Sequence, residues 1–125
     1  MTNAPLELIT ENDNIVIVNY IDGIRGGRSL DVSGYADPVL KAGLVIIRET
    51  ATDTYKPMPI TGNAYAALPA GHTYVGILAA SIRKERPLAG ILTFGVVNPE
   101  AAPIPYTPIL TALKTALPQV QFLAD

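Results

Sequence analysis

The sequence predicts a mainly β domain that finishes with one short helix. Three observations predict it. Apolar runs of strand length at 15–21, 44–48, 74–81 and 88–97 are rich in β-branched residues and are bounded by Asn, Asp, Gly or Pro. Ten glycines and eleven prolines punctuate the chain throughout. Helical spacing is confined to one stretch, where Ile109, Leu110, Leu113 and Leu117 share a face.

The elements follow in order. Residues 1–14 are polar and mixed, with Leu6 and Leu8 alternating with Glu7 and Ile9 as in a short extended segment. Residues 15–21 read as a strand, and Asp22-Gly23 with Gly26-Gly27 as a turn-rich loop. Leu30 and Val32 alternate with polar residues, and Asp37-Pro38 turns the chain. Residues 44–48 are apolar enough for a strand buried on both faces. A polar turn at 49–54 leads to an extended stretch at 55–60, which Pro57 and Pro59 restrict to a sheet edge. Residues 64–68 are expected to form a helical turn that stops at Pro69. Residues 72–81 predict a strand with a bend or bulge at Gly76. A charged hairpin loop at 82–87 follows, and a returning strand at 88–97 contains Gly90 and Gly95. Small residues at these spacings suit a tightly curved sheet or barrel. After a proline-rich connector, Thr107 is placed to cap a helix with Pro108 at its first position. Pro118 ends that helix, and 119–123 closes the chain as a short strand.

One hydrophobic core is the expectation for 125 residues. Hydrophobic residues make up 49% and charged residues only 16%, more aliphatic material than a small free monomer hides by itself. Part of it is expected in an interface between subunits or against a larger partner. The net charge of −2 gives neither the basic stripe of a nucleic-acid binder nor a polybasic membrane signal. The chain has no cysteine, so disulfides and thiolate metal sites are excluded, and its single histidine rules out a multi-histidine zinc site. The first residues lack a signal-peptide pattern and no run approaches a membrane span, so a soluble protein used without export is expected.

No residue pattern carries catalysis. His72 stands at a probable strand start, where a surface or hydrogen-bonding role is the ordinary one. The carboxylates are scattered through turns and form no pair suited to general acid and base work. Gly26-Gly27 between Arg25 and Arg28 lacks the Gly-Lys-Ser/Thr ending of a phosphate loop. The arginines there suit an exposed turn, or contact with an acidic partner surface. Six tyrosines and no tryptophan suit packing rings with hydrogen-bonded hydroxyls better than a sugar-binding platform.

Residues 41–95 carry a further pattern. Gly43 leads a strand, Tyr55-Lys56-Pro57 makes a turn, Gly76-Ile77-Leu78 sits in the next strand, and Gly95-Val96-Val97 finishes the last. This order resembles tailed-phage head decoration proteins of the lambda type, and the head auxiliary proteins of phages infecting Bacteroides-like hosts. The similarity extends over 30–123, including the closing helix and strand. It implies a small β-barrel or β-tulip-like domain at 29–125, preceded by an extended arm or lead-in at 1–28 that includes the 15–21 strand in one arrangement. It further implies a non-enzymatic virion protein without cofactor or metal, made in the host cytoplasm. Such a protein binds the outer surface of an assembled capsid, with the major capsid protein and its own copies in a homotrimer as partners. Leu6, Leu8, Ile9, Arg25 and Arg28 are then the capsid-contact candidates, and an arm of this kind adds a strand to its partner. Gly43, Tyr55, Lys56, Pro57, Gly76 and Gly95 are the structural motif. The alternative is a small β-barrel binding module or head-fibre adaptor for a glycan or peptide, with the tyrosines, Tyr35 and Tyr65 among them, and the Arg25–Arg28 loop on the binding face.

Overall fold

The computed structural model describes residues 13–24 and 26–123, with the side chains of 13 and 14 excepted. A helical turn, α1 (Asp13–Val16), leads into β1 (Ile17–Gly23). Then come β2 (Arg28–Ser29), β3 (Val39–Leu40), β4 (Val45–Glu49), β5 (Thr54–Pro57), β6 (Ile60–Thr61), β7 (Ala64–Tyr65) and β8 (His72–Leu78). The chain continues through β9 (Ile82–Arg83), β10 (Leu88–Ala89) and β11 (Ile91–Val97) to a 3-10 turn at Thr107–Ile109, α2 (Leu110–Ala116) and β12 (Val120–Phe122). The protein is mainly β with one short C-terminal helix, as its sequence predicts.

The principal sheet runs β1-β11-β8-β4-β5, with β12 parallel to β11. Leu92 pairs with both Gly23 and Ile77, while Gly95 pairs with both Tyr20 and Val120. One edge of β11 is therefore occupied by β1, and its other edge is shared between β8 and β12. Among the described residues β1 and β5 end this sheet without meeting, so the barrel closure expected from the sequence is not present in it. Prolines confine β5 to an edge as predicted, because Pro57 has no N–H for a further ladder.

Four local expectations are corrected. The 15–21 strand starts two residues late. Val16 is instead drawn into the core at 1% exposure while its carbonyl accepts from Asn98 N–H at 2.8 Å. Core burial there outweighs the β preference of the run. Residues 64–65 form β7 and pair with β6 instead of making a helical turn. This pairing places Tyr65 in the core, where its hydroxyl accepts from Val45 N–H at 3.2 Å. The charged loop at 82–87 is part of a longer excursion: β9 leaves to pair with β3, and β10 pairs with β2, before β11 rejoins β8. Thr107 does not cap the helix. A 3-10 turn precedes α2, Tyr106 takes the cap position of that turn without a side-chain capping bond, and Pro108 falls within its first two positions as expected.

Three glycines of the predicted motif shape the core. The β4–β8 register slips between Ile46↔Gly76 and Ile47↔Tyr74, leaving Val75 as the bulged residue. A Cβ on Gly76 would sit well inside contact distance of the Leu92 carbonyl oxygen, and one on Gly95 against that of Asn19. Both glycines let strand backbones meet closely. Gly43 adopts φ +100, and its carbonyl accepts the Tyr106 hydroxyl at 2.5 Å. Tyr106 stacks on Tyr65 with centroids 6.2 Å apart and meets the edge of Phe122 at 5.4 Å. The 3-10 turn buries Ile109 and α2 buries Leu113, and Leu117 N–H closes the helix on Leu113.

Candidate functional site

Leu6, Leu8, Ile9 and Arg25 lie outside the described residues. Arg28 stands on β2, exposed, with its guanidinium carbon 5.7 Å from the centre of the Tyr55 ring. Its Nη1 also donates to the Gly27 carbonyl at 2.7 Å. The cation and Tyr55-Lys56-Pro57, which form part of strand β5 and not the turn expected from the sequence, are thus brought together.

Lys56 links three strands at the neighbouring corner. Its ammonium meets Glu49 Oε1 of β4 at 2.8 Å and His72 Nε2 of β8 at 3.3 Å. His72 Nδ1 is 2.9 Å from the Ala70 carbonyl. The arrangement assigns the proton to Nδ1, which donates to that carbonyl, and leaves Nε2 to accept from Lys56. Hydrogen bonding to Lys56, and the charge of Lys56, hold the Glu49 carboxyl below its ordinary range. His72 therefore has a hydrogen-bonding role in a strand-stitching cluster, as the sequence reading favours. Among the described residues no group of three potential metal ligands gathers there or elsewhere.

The tyrosines divide into two sets. Tyr65 and Tyr106 are core residues whose hydroxyls burial pushes above the ordinary tyrosine range. Tyr65 is therefore removed from the binding face expected of the alternative reading. Tyr35 is half-buried and lines a cleft.

This cleft, of about 650 Å³, opens between the 31–37 loop and the 56–63 segment, with Ile104 behind. Its lining residues include Met58, Ile60 and two prolines, together with Asp31, Asp37 and Lys56. Asp31 accepts from Ser33 N–H at 3.1 Å and from its hydroxyl at 2.7 Å, which keeps its carboxyl below the ordinary range. Burial, and then the charge of Asp37, raise the Tyr35 hydroxyl.

A second feature lies at the opposite end of the sheet. β1 is an edge strand without a second strand partner among the described residues. Val18, Tyr20 and Ile21 on it are 51%, 50% and 51% exposed, and Ile15 just before it is 53% exposed. Phe94, near Asp22 in the ladder, and Leu123, bonded to Val97 through its N–H, add exposed apolar surface. The β1–β11 register shifts three times within seven residues, so the edge is bulged as well as apolar. Only Asp22 puts a charge on it. Sequence reasoning found this strand but not its exposure, because an apolar run carries no sign of whether a neighbour lies on one side or two. The available signal was Asn19 inside the run and Asp22 directly after it.

No protein-family model, curated protein or solved structure matches this chain.

Proposed function

We propose that the protein is a structural component of a phage virion: a head decoration protein that binds the outer surface of an assembled capsid and stabilises it by bridging capsomers. The observation that carries this reading is the exposed apolar edge formed by Ile15 and β1. An uncovered sheet edge offers backbone N–H and C=O groups to an incoming strand, and apolar side chains along it gain by being covered. The block at 41–95, with its resemblance to decoration proteins, supplies the kind of partner.

On this reading the major capsid protein covers the β1 edge. Copies of the chain associate as a trimer, and the work is done by modest contacts repeated by the symmetry of the shell. Leu6, Leu8, Ile9, Arg25 and Arg28 contribute as capsid contacts. The protein is made in the host cytoplasm, requires no cofactor and performs no reaction.

The test is to mix purified protein with expanded heads lacking decoration and to measure bound mass by sedimentation and head stability by heating. Saturable binding with a raised disruption temperature is expected. Heads that gain neither mass nor stability would remove the proposal.

A further inference from the structure

The cleft at Asp31 and Asp37 has a complement elsewhere on the same chain. The excursion between β9 and β10 carries Arg83, Lys84, Glu85 and Arg86 at its tip. Lys84 is committed internally, its ammonium donating to the Tyr35 carbonyl, and Arg83 lies 3.9 Å from Glu85. Arg86 is exposed, and its side chain has no ion-pair or hydrogen-bond partner among the described residues. The same holds for the exposed side chain of Asp37. Leu88, two residues beyond Arg86, is 60% exposed, the highest value among the large apolar residues described.

The cleft suits such a tip in size, polarity and charge. A volume of about 650 Å³ accommodates several side chains. Its apolar walls suit an aliphatic anchor beside a cation. Its lysine is shared with Glu49 at 2.8 Å, so against Asp31 and Asp37 the cleft holds a cation already paired elsewhere and stays acidic in balance. Cleft and tip adjoin the same 31–38 stretch: Lys84 N–H donates to the Pro38 carbonyl, while the preceding loop walls the cleft. Two different patches so close together suit a head-to-tail contact, which closes into a ring when its rotation permits.

We propose that the acidic cleft at Asp31 and Asp37 receives the basic tip at Arg83 and Arg86 of a second copy of this chain, with Leu88 as its apolar anchor. The inference rests on the self-association in the function proposed above, and is independent of capsid binding. Each copy gives one tip and takes one, so every contact in the ring is the same.

The experiment is light scattering of the purified full chain, without heads, for the wild type, Asp37→Arg, Arg86→Asp and the double variant. Circular dichroism on each sample checks the fold. The wild type is expected to show a mass above that of one chain, falling as salt is raised. Each single reversal sets like charges against each other and is expected to weaken association about tenfold or more. The double variant restores opposite charges within every contact and is expected to recover the wild-type mass. A wild type that stays at one chain's mass at all concentrations overturns the inference. So do single variants with unchanged mass, or a folded double variant that remains dissociated. Failure of capsid binding is read separately, from heads that gain no mass, and leaves these outcomes unaltered.

Discussion

β4 and β1 are built from nearly the same material and meet opposite fates. β4 contributes Val45, Ile46 and Ile47, none more than 1% exposed, between β5 and β8. β1 contributes Val18, Tyr20 and Ile21, each about half exposed, with β11 on one side only. The difference lies in sheet position and not in residue type. A central strand is packed on its faces and bonded along both edges. An edge strand keeps its apolar side chains and its unpaired backbone available, and in this chain charge does little to blunt them. Apolar burial is thus concentrated in the middle of the sheet, and exposed apolar surface at the β1 end.

The largest effect is expected in the centre. Ile46→Ala should cost roughly 2–5 kcal/mol of unfolding free energy, since it opens a cavity in a fully packed strand. Denaturant unfolding measures it, and a loss as small as that of an edge substitution would erase the distinction between the strands. Gly76→Ala should cost roughly 1–3 kcal/mol or more, because the new Cβ meets the Leu92 carbonyl and neither backbone can withdraw cheaply. The same unfolding curves report it.

An intermediate effect is expected at the aromatic cluster. Tyr106→Phe leaves the buried Gly43 carbonyl without its donor and should cost about 1–3 kcal/mol. The hydroxyl also fixes a pH dependence. Burial raises the Tyr65 and Tyr106 hydroxyls above the value near 10 that they take in the unfolded chain. Above about pH 10 the unfolded chain releases protons that the folded protein retains, so stability is intact below that pH and falls as pH rises beyond it. The Phe variant should show a shallower alkaline decline in thermal unfolding; an unchanged slope would contradict the assignment.

The smallest effect is expected at the edge. Val18→Ser together with Ile21→Ser should change the stability of the free protein by only about 0.5 kcal/mol for each substitution. The same pair should markedly weaken attachment to heads, measured by co-sedimentation. Equal loss of stability and attachment would mean that β1 belongs to the core after all.

The sequence disclosed those parts of the fold that repeat a local period over enough residues. β4, β8 and the β11 part of the strand predicted at 88–97 are such runs, and the C-terminal helical stretch shows its apolar face through Ile109, Leu113 and Leu117, which precede, lie within and follow α2. The bulge near Gly76 and the edge position of Pro57 were legible because glycine and proline have specific backbone consequences. The pairings β2–β10 and β3–β9 were not, since two-residue strands have no period to read. Nor was the cleft, whose walls come from 31–37, 56–63 and Ile104 and meet only through the fold. Tyr65 was misplaced because Ala64-Tyr65-Ala66-Ala67 has the composition of a helical turn, while the hairpin through Gly62, at φ +64, decides its course.

The most direct test of the account is amide hydrogen exchange across β1, Ile17–Gly23, in the free protein and on decorated heads. The account predicts that β1 exchanges readily when free and becomes protected on heads, while β4 is slow in both. Stable attachment to heads with β1 exchange unchanged would contradict it.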